Sequence, residues 1–200
     1  MSRVTLNHHT PLVICSNAIR TCWQSQDKSD NGGEKDQELI NRVGNKFKHS
    51  STLEHLVYNF TIKCSRAVLQ EWSRHRIASL SVKSTRYTLK ELKNEDPFEL
   101  LPEDMERAKK YVVLTDNMAV NNAILSSLEV LRIILVEGVS NDVAKYCLPE
   151  AYKTEINWTI NARSLQNFLK LRRSSSALWE IRDIADEVFE ALPEDHRYLF

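Results

Sequence analysis

Residues 58–64 read Tyr58-Asn59-Phe60-Thr61-Ile62-Lys63-Cys64, alternating apolar and polar side chains. A period of two puts Tyr58, Phe60, Ile62 and Cys64 on one face of an extended chain, the pattern of a half-buried strand. The pattern returns at Ile156, Trp158 and Ile160, interleaved with Asn157, Thr159 and Asn161. Around these two strands the apolar period lengthens to that of a helix. Val68, Leu69 and Trp72 share one face of a helix over 67–74. Leu128, Leu131, Ile134 and Leu135 form a stripe within a helical stretch over 102–137, broken once near Thr115. Gly138 is placed to end that stretch as a C-cap. Ser140 or Asn141 can cap a short helix ending near Pro149. Further helices are expected over 37–47, 162–171 and 177–192, and residues 24–37, polar and rich in turn formers, read as a loop. Few strands and much helix give an α/β (α+β) chain forming a single domain over 1–200.

Lysine plus arginine equals aspartate plus glutamate, 27 each, so the net charge is zero. That weighs against a chain whose main task is to coat nucleic acid or an anionic membrane. The longest apolar stretches fall short of a membrane span, and the N-terminus lacks the apolar core of a signal peptide. Cys15, Cys22, Cys64 and Cys147 show no CxxC spacing, and reduced thiols in a cytoplasmic enzyme are the simplest account, with no metal expected. The four glycines, at 32, 33, 44 and 138, write neither GxGxxG nor GxxxxGK[ST]. Phosphate, if bound, must be held mainly by side chains rather than by closely approaching backbone.

Three clusters could carry chemistry. Arg74-His75-Arg76 is followed by Ser84, Arg86 and Tyr87, starting at a helix end and running into a loop. Two guanidiniums about 5 Å apart repel by roughly 3 kcal/mol at an effective dielectric near 20, so an anion would offset the cost of gathering them. Arginine suits phosphate through its planar, two-pronged donor geometry. A solvated basic surface at a helix end is the competing reading. In the second cluster Arg163 and Asn167 stand four apart on one helix face, opposite Leu165, Phe168 and Leu169. Arg172, nine residues on, points elsewhere, and a plain polar outer face is the alternative. The third, His49 to His55, contains Glu54 but is not HExxH and lacks an evident third metal ligand. GxSxG is absent around Ser84.

The spacing Arg74-His75-Arg76, seven residues, Ser84 resembles the signature of the flavin-dependent thymidylate synthases. His49–His55, Asn161-Ala-Arg163-Ser-Leu, Asn167-Phe-Leu-Lys-Leu-Arg172, Ala177-Leu-Trp179-Glu180-Ile181 and Ala18-Ile-Arg20-Thr-Cys22 resemble further family segments in the same order. The resemblance implies a curved, mainly antiparallel sheet packed with long helices, assembled as a homotetramer. It implies reductive methylation of dUMP to dTMP, with 5,10-methylenetetrahydrofolate as carbon donor, FAD as hydride carrier and NADPH as reductant. FAD would be held by His49, Ser51, Arg74, His75, Arg76, Val82, Asn161, Arg163 and Asn167. dUMP would meet Glu71, Arg74, Ser84, Thr85, Arg86, Lys145 and Arg172, with Arg172 the catalytic residue against the uracil ring. Val82 and Ser81 stand where the family often has Glu and Asn, and Glu71 stands where Gln is frequent. The competing functions are a nucleic-acid-binding loop and a family member that binds nucleotide without turnover.

Overall fold

The computed structural model describes residues 3–200. Its elements run β1 (Val4–His9), α1 (Leu12–Thr21), α2 (Glu34–Ile40), β2 (Val57–Ser65), α3 (Arg66–Trp72), β3 (Ala78–Val82), α4 (Thr85–Thr88), α5 (Pro102–Ala108), α6 (Met118–Val136), α7 (Asn141–Ala144), β4 (Lys153–Asn161), α8 (Ala162–Arg172) and α9 (Trp179–Glu190). A π-helical turn, Asn41–Lys46, continues α2, and a 3-10 helix, Ser50–His55, precedes β2. The four strands lie in the order β1-β2-β4-β3, with β1 and β2 antiparallel. The result is a mixed α/β fold with a small sheet and many helices.

The chain divides into two compact units. One comprises the chain up to Ile62, Glu71–Ser81 and Ile156–Phe200; the other comprises Lys63–Gln70 and Val82–Glu155. In the first unit the alternation read from the sequence is realised. Tyr58, Phe60, Ile62, Ile156, Trp158 and Ile160 are buried. The opposite face carries an amide ladder: Asn7 donates to Asn59 (2.8 Å), and Asn59 donates to Asn157 (2.8 Å) and Thr159 (2.7 Å). Trp72 and Phe168 close over Trp158, with ring centroids 4.6 to 4.9 Å apart. In the second unit, Leu125, Leu128, Leu131 and Leu135 of α6 pack with Leu89, Leu92, Phe98, Met105 and Tyr111.

Several expectations are corrected. The strand β1 was not expected, although Val4 and Leu6 alternate with polar residues. The basic motif does not run into a loop, because β3 follows it directly. Residues 24–37 do not form a plain loop. They hold a short 3-10 turn and the first turn of α2, and they close around Asp36. Its carboxylate accepts from Arg20 (2.8 Å), Ser29 (2.6 Å) and the Gly32 amide (3.0 Å). The helix expected from 37 begins at Glu34, and in its first turn Asp30 accepts from the amides of Lys35 (2.9 Å) and Asp36 (3.2 Å). The long stretch over 102–137 breaks across nine residues rather than at one point, where Val112 bridges to Tyr152. The last helix begins at Trp179 rather than 177. Contrary to the expectation about apolar stretches, α6 is long and apolar enough to cross a membrane. One face of α6 is committed to the core of its unit, while Val120, Val130, Ile133 and Val136 face outward. Gly138 ends α6 at φ 90°, as expected of a C-cap. Gly44 lets the π turn lie directly on Leu53, where a Cβ would come within 2.6 Å of that side chain.

Burial opposes the charge on Asp36, but hydrogen bonds from Ser29, Arg20, the Gly32 amide and Ser16 outweigh it and hold the carboxyl down at about 2. Arg20 and Asp36 are both buried. Removing one partner strands the other charge, so Asp36→Ala should cost about 3–5 kcal/mol in urea unfolding; a loss below about 1 kcal/mol would contradict the buried pairing. His196, buried against the Tyr58 hydroxyl at 2.8 Å, is pushed down to about 4 by burial, with His9 adding to the effect and Asp195 opposing it. The unfolded histidine protonates near 6.5 and the folded one only near 4. Stability is therefore intact above the first value and declines as pH falls through this window. His196→Gln should reduce proton uptake on unfolding at pH 5 by about one proton, measured from the pH slope of unfolding free energy.

Candidate active site

Helix α3 ends at Trp72, whose ring is locked against Trp158 and Phe168. Arg74, His75 and Arg76 follow within four residues of that anchor. Asn161 precedes helix α8 as its N-cap, its side-chain oxygen accepting from the Ser164 amide (2.9 Å). Its buried stripe, Leu165, Phe168 and Leu169, faces the sheet. The remaining face presents Arg163, Asn167 and Arg172. Together the two segments line a cavity of about 490 Å³ bounded by Arg74, Arg76, Arg163, Asn167, Arg172 and Glu54. Sequence spacing had directed Arg163 and Arg172 to different places. Both line this one cavity, because the Arg172 side chain is turned onto His75, which lines it from the segment after α3.

Arg172 is the most constrained of these groups. Its Nη1 donates to the Glu71 carboxylate (2.5 Å), its Nη2 to the Glu71 main-chain oxygen (3.0 Å) and its Nε to Nε2 of His75 (3.0 Å). Since a guanidinium can only donate, His75 Nε2 must be an acceptor, and the imidazole is neutral with its proton on Nδ1. Burial, followed by the adjacent Arg172 charge, pushes His75 down to about 4, with Glu71 pulling the other way. Edge-to-face contact with Phe168 at 4.9 Å fixes the ring. Arg163, half-exposed, pairs with Glu54 at 2.7 Å. Sequence reasoning passed over Glu54 as a site residue because it was weighed only as a metal ligand. Its place one 3-10 turn before β2 is what brings it to α8. No group of three metal-binding side chains occurs among the described residues.

The remaining expected contacts lie elsewhere. His49 lines a different cavity of the same unit, and Ser51 is exposed at the start of the 3-10 helix that carries Glu54. Val82, at the end of β3, is exposed. Ser84, Thr85, Arg86 and Lys145 belong to the second unit. There Ser84 precedes α4, and Arg86 forms a two-pronged pair with Asp142 of α7 (2.6 and 3.2 Å). Asn141 donates to the Arg86 main-chain oxygen (2.8 Å), and Lys145 follows α7 directly. The carboxylate of Asp142 occupies the Arg86 fork that an anion would need, and both side chains are exposed enough to exchange partners.

Four guanidiniums around one cavity, opposed on its lining by a single carboxylate, form a donor set suited to a phosphate-bearing ligand. Comparison with known proteins agrees. The profile of the family described as thymidylate synthase complementing protein matches residues 5–196. The flavin-dependent thymidylate synthase of Wolinella succinogenes is 68% identical over 198 residues, spanning 98% of this chain and 96% of that protein. That of Campylobacter jejuni is 62% identical over 199 residues, spanning 99% and 95%. The crystal structure of thymidylate synthase X from Helicobacter pylori with FAD and dUMP superposes with a TM-score of 0.95 at 58% identity, covering 100% of this chain and 97% of that one. The chain belongs to the thymidylate synthase complementing protein family, that of the flavin-dependent thymidylate synthases.

Proposed function

We propose that this enzyme methylates dUMP reductively to dTMP, using 5,10-methylenetetrahydrofolate as carbon donor, FAD as flavin and NADPH as reductant. The observation that carries the reading is the cavity of Arg74, Arg76, Arg163 and Arg172, with Arg172 held by Glu71 and His75. The donor set fits FAD: Arg74, Arg76 and Arg163 offer cationic forks to its diphosphate, and Asn167 offers an amide. When bound, the flavin supplies hydride chemistry.

The chain's own residues do the rest. Arg172 presents a fixed positive charge that stabilises negative charge developing on the pyrimidine and favours loss of the proton at N3. Glu71 and neutral His75 set the direction of the guanidinium; His75 contributes only a lone pair, while the Glu71 carboxylate offsets part of the charge. Ser84, Thr85, Arg86 and Lys145 supply hydroxyl and cationic donors to the nucleotide phosphate, with Arg86 leaving Asp142 to do so. Val82 keeps an apolar side chain where the family often places a carboxylate, so no polar contact is assigned to it. His49 and Ser51 stand as further flavin contacts, on the strength of the family signature alone. Assembly as a homotetramer accords with the outward apolar residues of α6, Val120, Val130, Ile133 and Val136. A cytoplasmic location accords with four cysteines that form no disulfide among the described residues.

The purified protein should be yellow and should bleach with NADPH. It should release tritium from dUMP labelled at C5 only when folate and NADPH are both present. Arg172→Ala should retain bound flavin while turnover falls by roughly 100-fold or more, as when a single charge-stabilising donor is removed. Arg163→Ala should instead lose flavin on gel filtration. Normal turnover in Arg172→Ala would remove its assigned role. Sedimentation should give a mass about four times the 23.2 kDa chain; a monomer would contradict the assembly.

A further inference from the structure

We propose that Asp142 is a specificity-determining residue, whose carboxylate competes with the nucleotide phosphate for the Arg86 fork. The competition admits a dianionic phosphate, gives nothing to a nucleoside without one, and helps the methylated product to leave. The inference rests on the reading of the chain as a thymidylate synthase. It extends that reading from which groups meet the nucleotide to what limits their grip.

Consecutive residues of α7 hold Arg86 at two levels. Asn141 donates to the Arg86 main-chain oxygen (2.8 Å), while Asp142 accepts from its Nε (2.6 Å) and Nη2 (3.2 Å). The main-chain bond keeps α4 against α7 whether or not the side-chain pair is made. The guanidinium can therefore change partners without unseating its helix. The Nε–Nη2 edge that Asp142 occupies is a paired-donor edge of the kind that grips phosphate. Exposure sets how firmly it is occupied: the Arg86 and Asp142 side chains are 55% and 56% exposed. A pair so open to water is worth about fivefold at most in an equilibrium. Arg172 is built the opposite way. Its side chain is 15% exposed and is held by a carboxylate, a main-chain oxygen and a ring nitrogen. Arg172 is built to stay, and Arg86 to exchange.

Asp142 spends its carboxylate on Arg86 and not on Lys145, three residues further along the same run. Arg86, Lys145 and Asp142 together leave one net positive charge for the ligand. A phosphate monoester carries two negative charges above its second pKa of about 6, and so outbids the single charge of a carboxylate. Since dUMP and dTMP carry the same phosphate, the competition weakens substrate and product alike. The carboxylate returning to Arg86 shortens the product's stay.

The test is calorimetric titration of the FAD-loaded enzyme with dUMP, dTMP, inorganic phosphate and deoxyuridine. It compares the wild type with Asp142→Asn, Arg86→Ala and the double variant. Asparagine keeps the shape of the side chain and removes its charge. Asp142→Asn should tighten dUMP, dTMP and inorganic phosphate by about threefold to tenfold, the worth of the pair plus the repulsion removed. Deoxyuridine should stay within about twofold of wild type. The dUMP affinity of Asp142→Asn should fall more steeply with salt, because one more net positive charge faces the phosphate. In steady state its KM for dUMP should fall and inhibition by dTMP should strengthen. In the Arg86→Ala background the gain should vanish, since the two residues act on one another. Unchanged dUMP binding in Asp142→Asn overturns the proposal. Weaker binding overturns it as well, making Asp142 a support for Arg86 rather than its competitor. A gain that deoxyuridine shares, or that survives Arg86→Ala, also overturns it. If the wild type binds dUMP and makes dTMP, any of these results sinks the competition alone. A wild type that does neither sinks the enzymatic reading itself.

Discussion

The side chain of Arg172 is held on three sides by partners from one neighbouring segment: the carboxylate of Glu71, the main-chain oxygen of Glu71 and the bare nitrogen of His75. A long, flexible cation has thereby been given a single direction. The loss of rotamer freedom this entails, about 2 kcal/mol for arginine, is offset by bonds already present before any ligand arrives. The arrangement holds only while α3 and α8 keep their spacing. That spacing is set by Trp72, Trp158 and Phe168, which fill the space between the two helices and β4. The apolar packing of the first unit and the polarity of its cavity are thus one construction.

This construction explains why so few glycines suffice. A phosphate site built on backbone amides needs glycine for close approach. Here the ends of two helices deliver side chains instead, and arginine brings both charge and paired donors. The opposing carboxylates, Glu54 at Arg163, Glu71 at Arg172 and Asp142 at Arg86, keep the guanidiniums apart from one another until an anion competes for them. Like-charge repulsion is managed locally, and the chain's net charge remains zero.

The sequence carried much of this openly. The period-two runs at 58–64 and 156–161 located the two long strands, because one face of each is buried and the other is polar. The helix that carries Arg163 and Arg172 was legible from Leu165, Phe168 and Leu169. The polar knot around Asp36 was not legible. A segment of Ser, Asp, Asn and Gly reads as loop by composition, and only the buried Arg20 eleven residues before Asn31 turns it into ordered structure. The strand β3 was hidden because Ala78-Ser-Leu-Ser-Val82 is short and lacks a buried face of large residues. Convergence of Arg163 with Arg172 is not visible in helical angle, which places the backbone position, whereas the Arg172 side chain is turned by its bonds to His75 and Glu71. The Arg172–Glu71 pair joins residues 101 positions apart, a distance at which no local pattern speaks.

The most direct test of this account is nitrogen NMR of the His75 imidazole in the folded protein. The account predicts a neutral ring with its proton on Nδ1 and an unprotonated Nε2, persisting as pH is lowered until about 4. A ring that titrates near the ordinary 6.5, or that carries its proton on Nε2, would mean that Arg172 is not held as described.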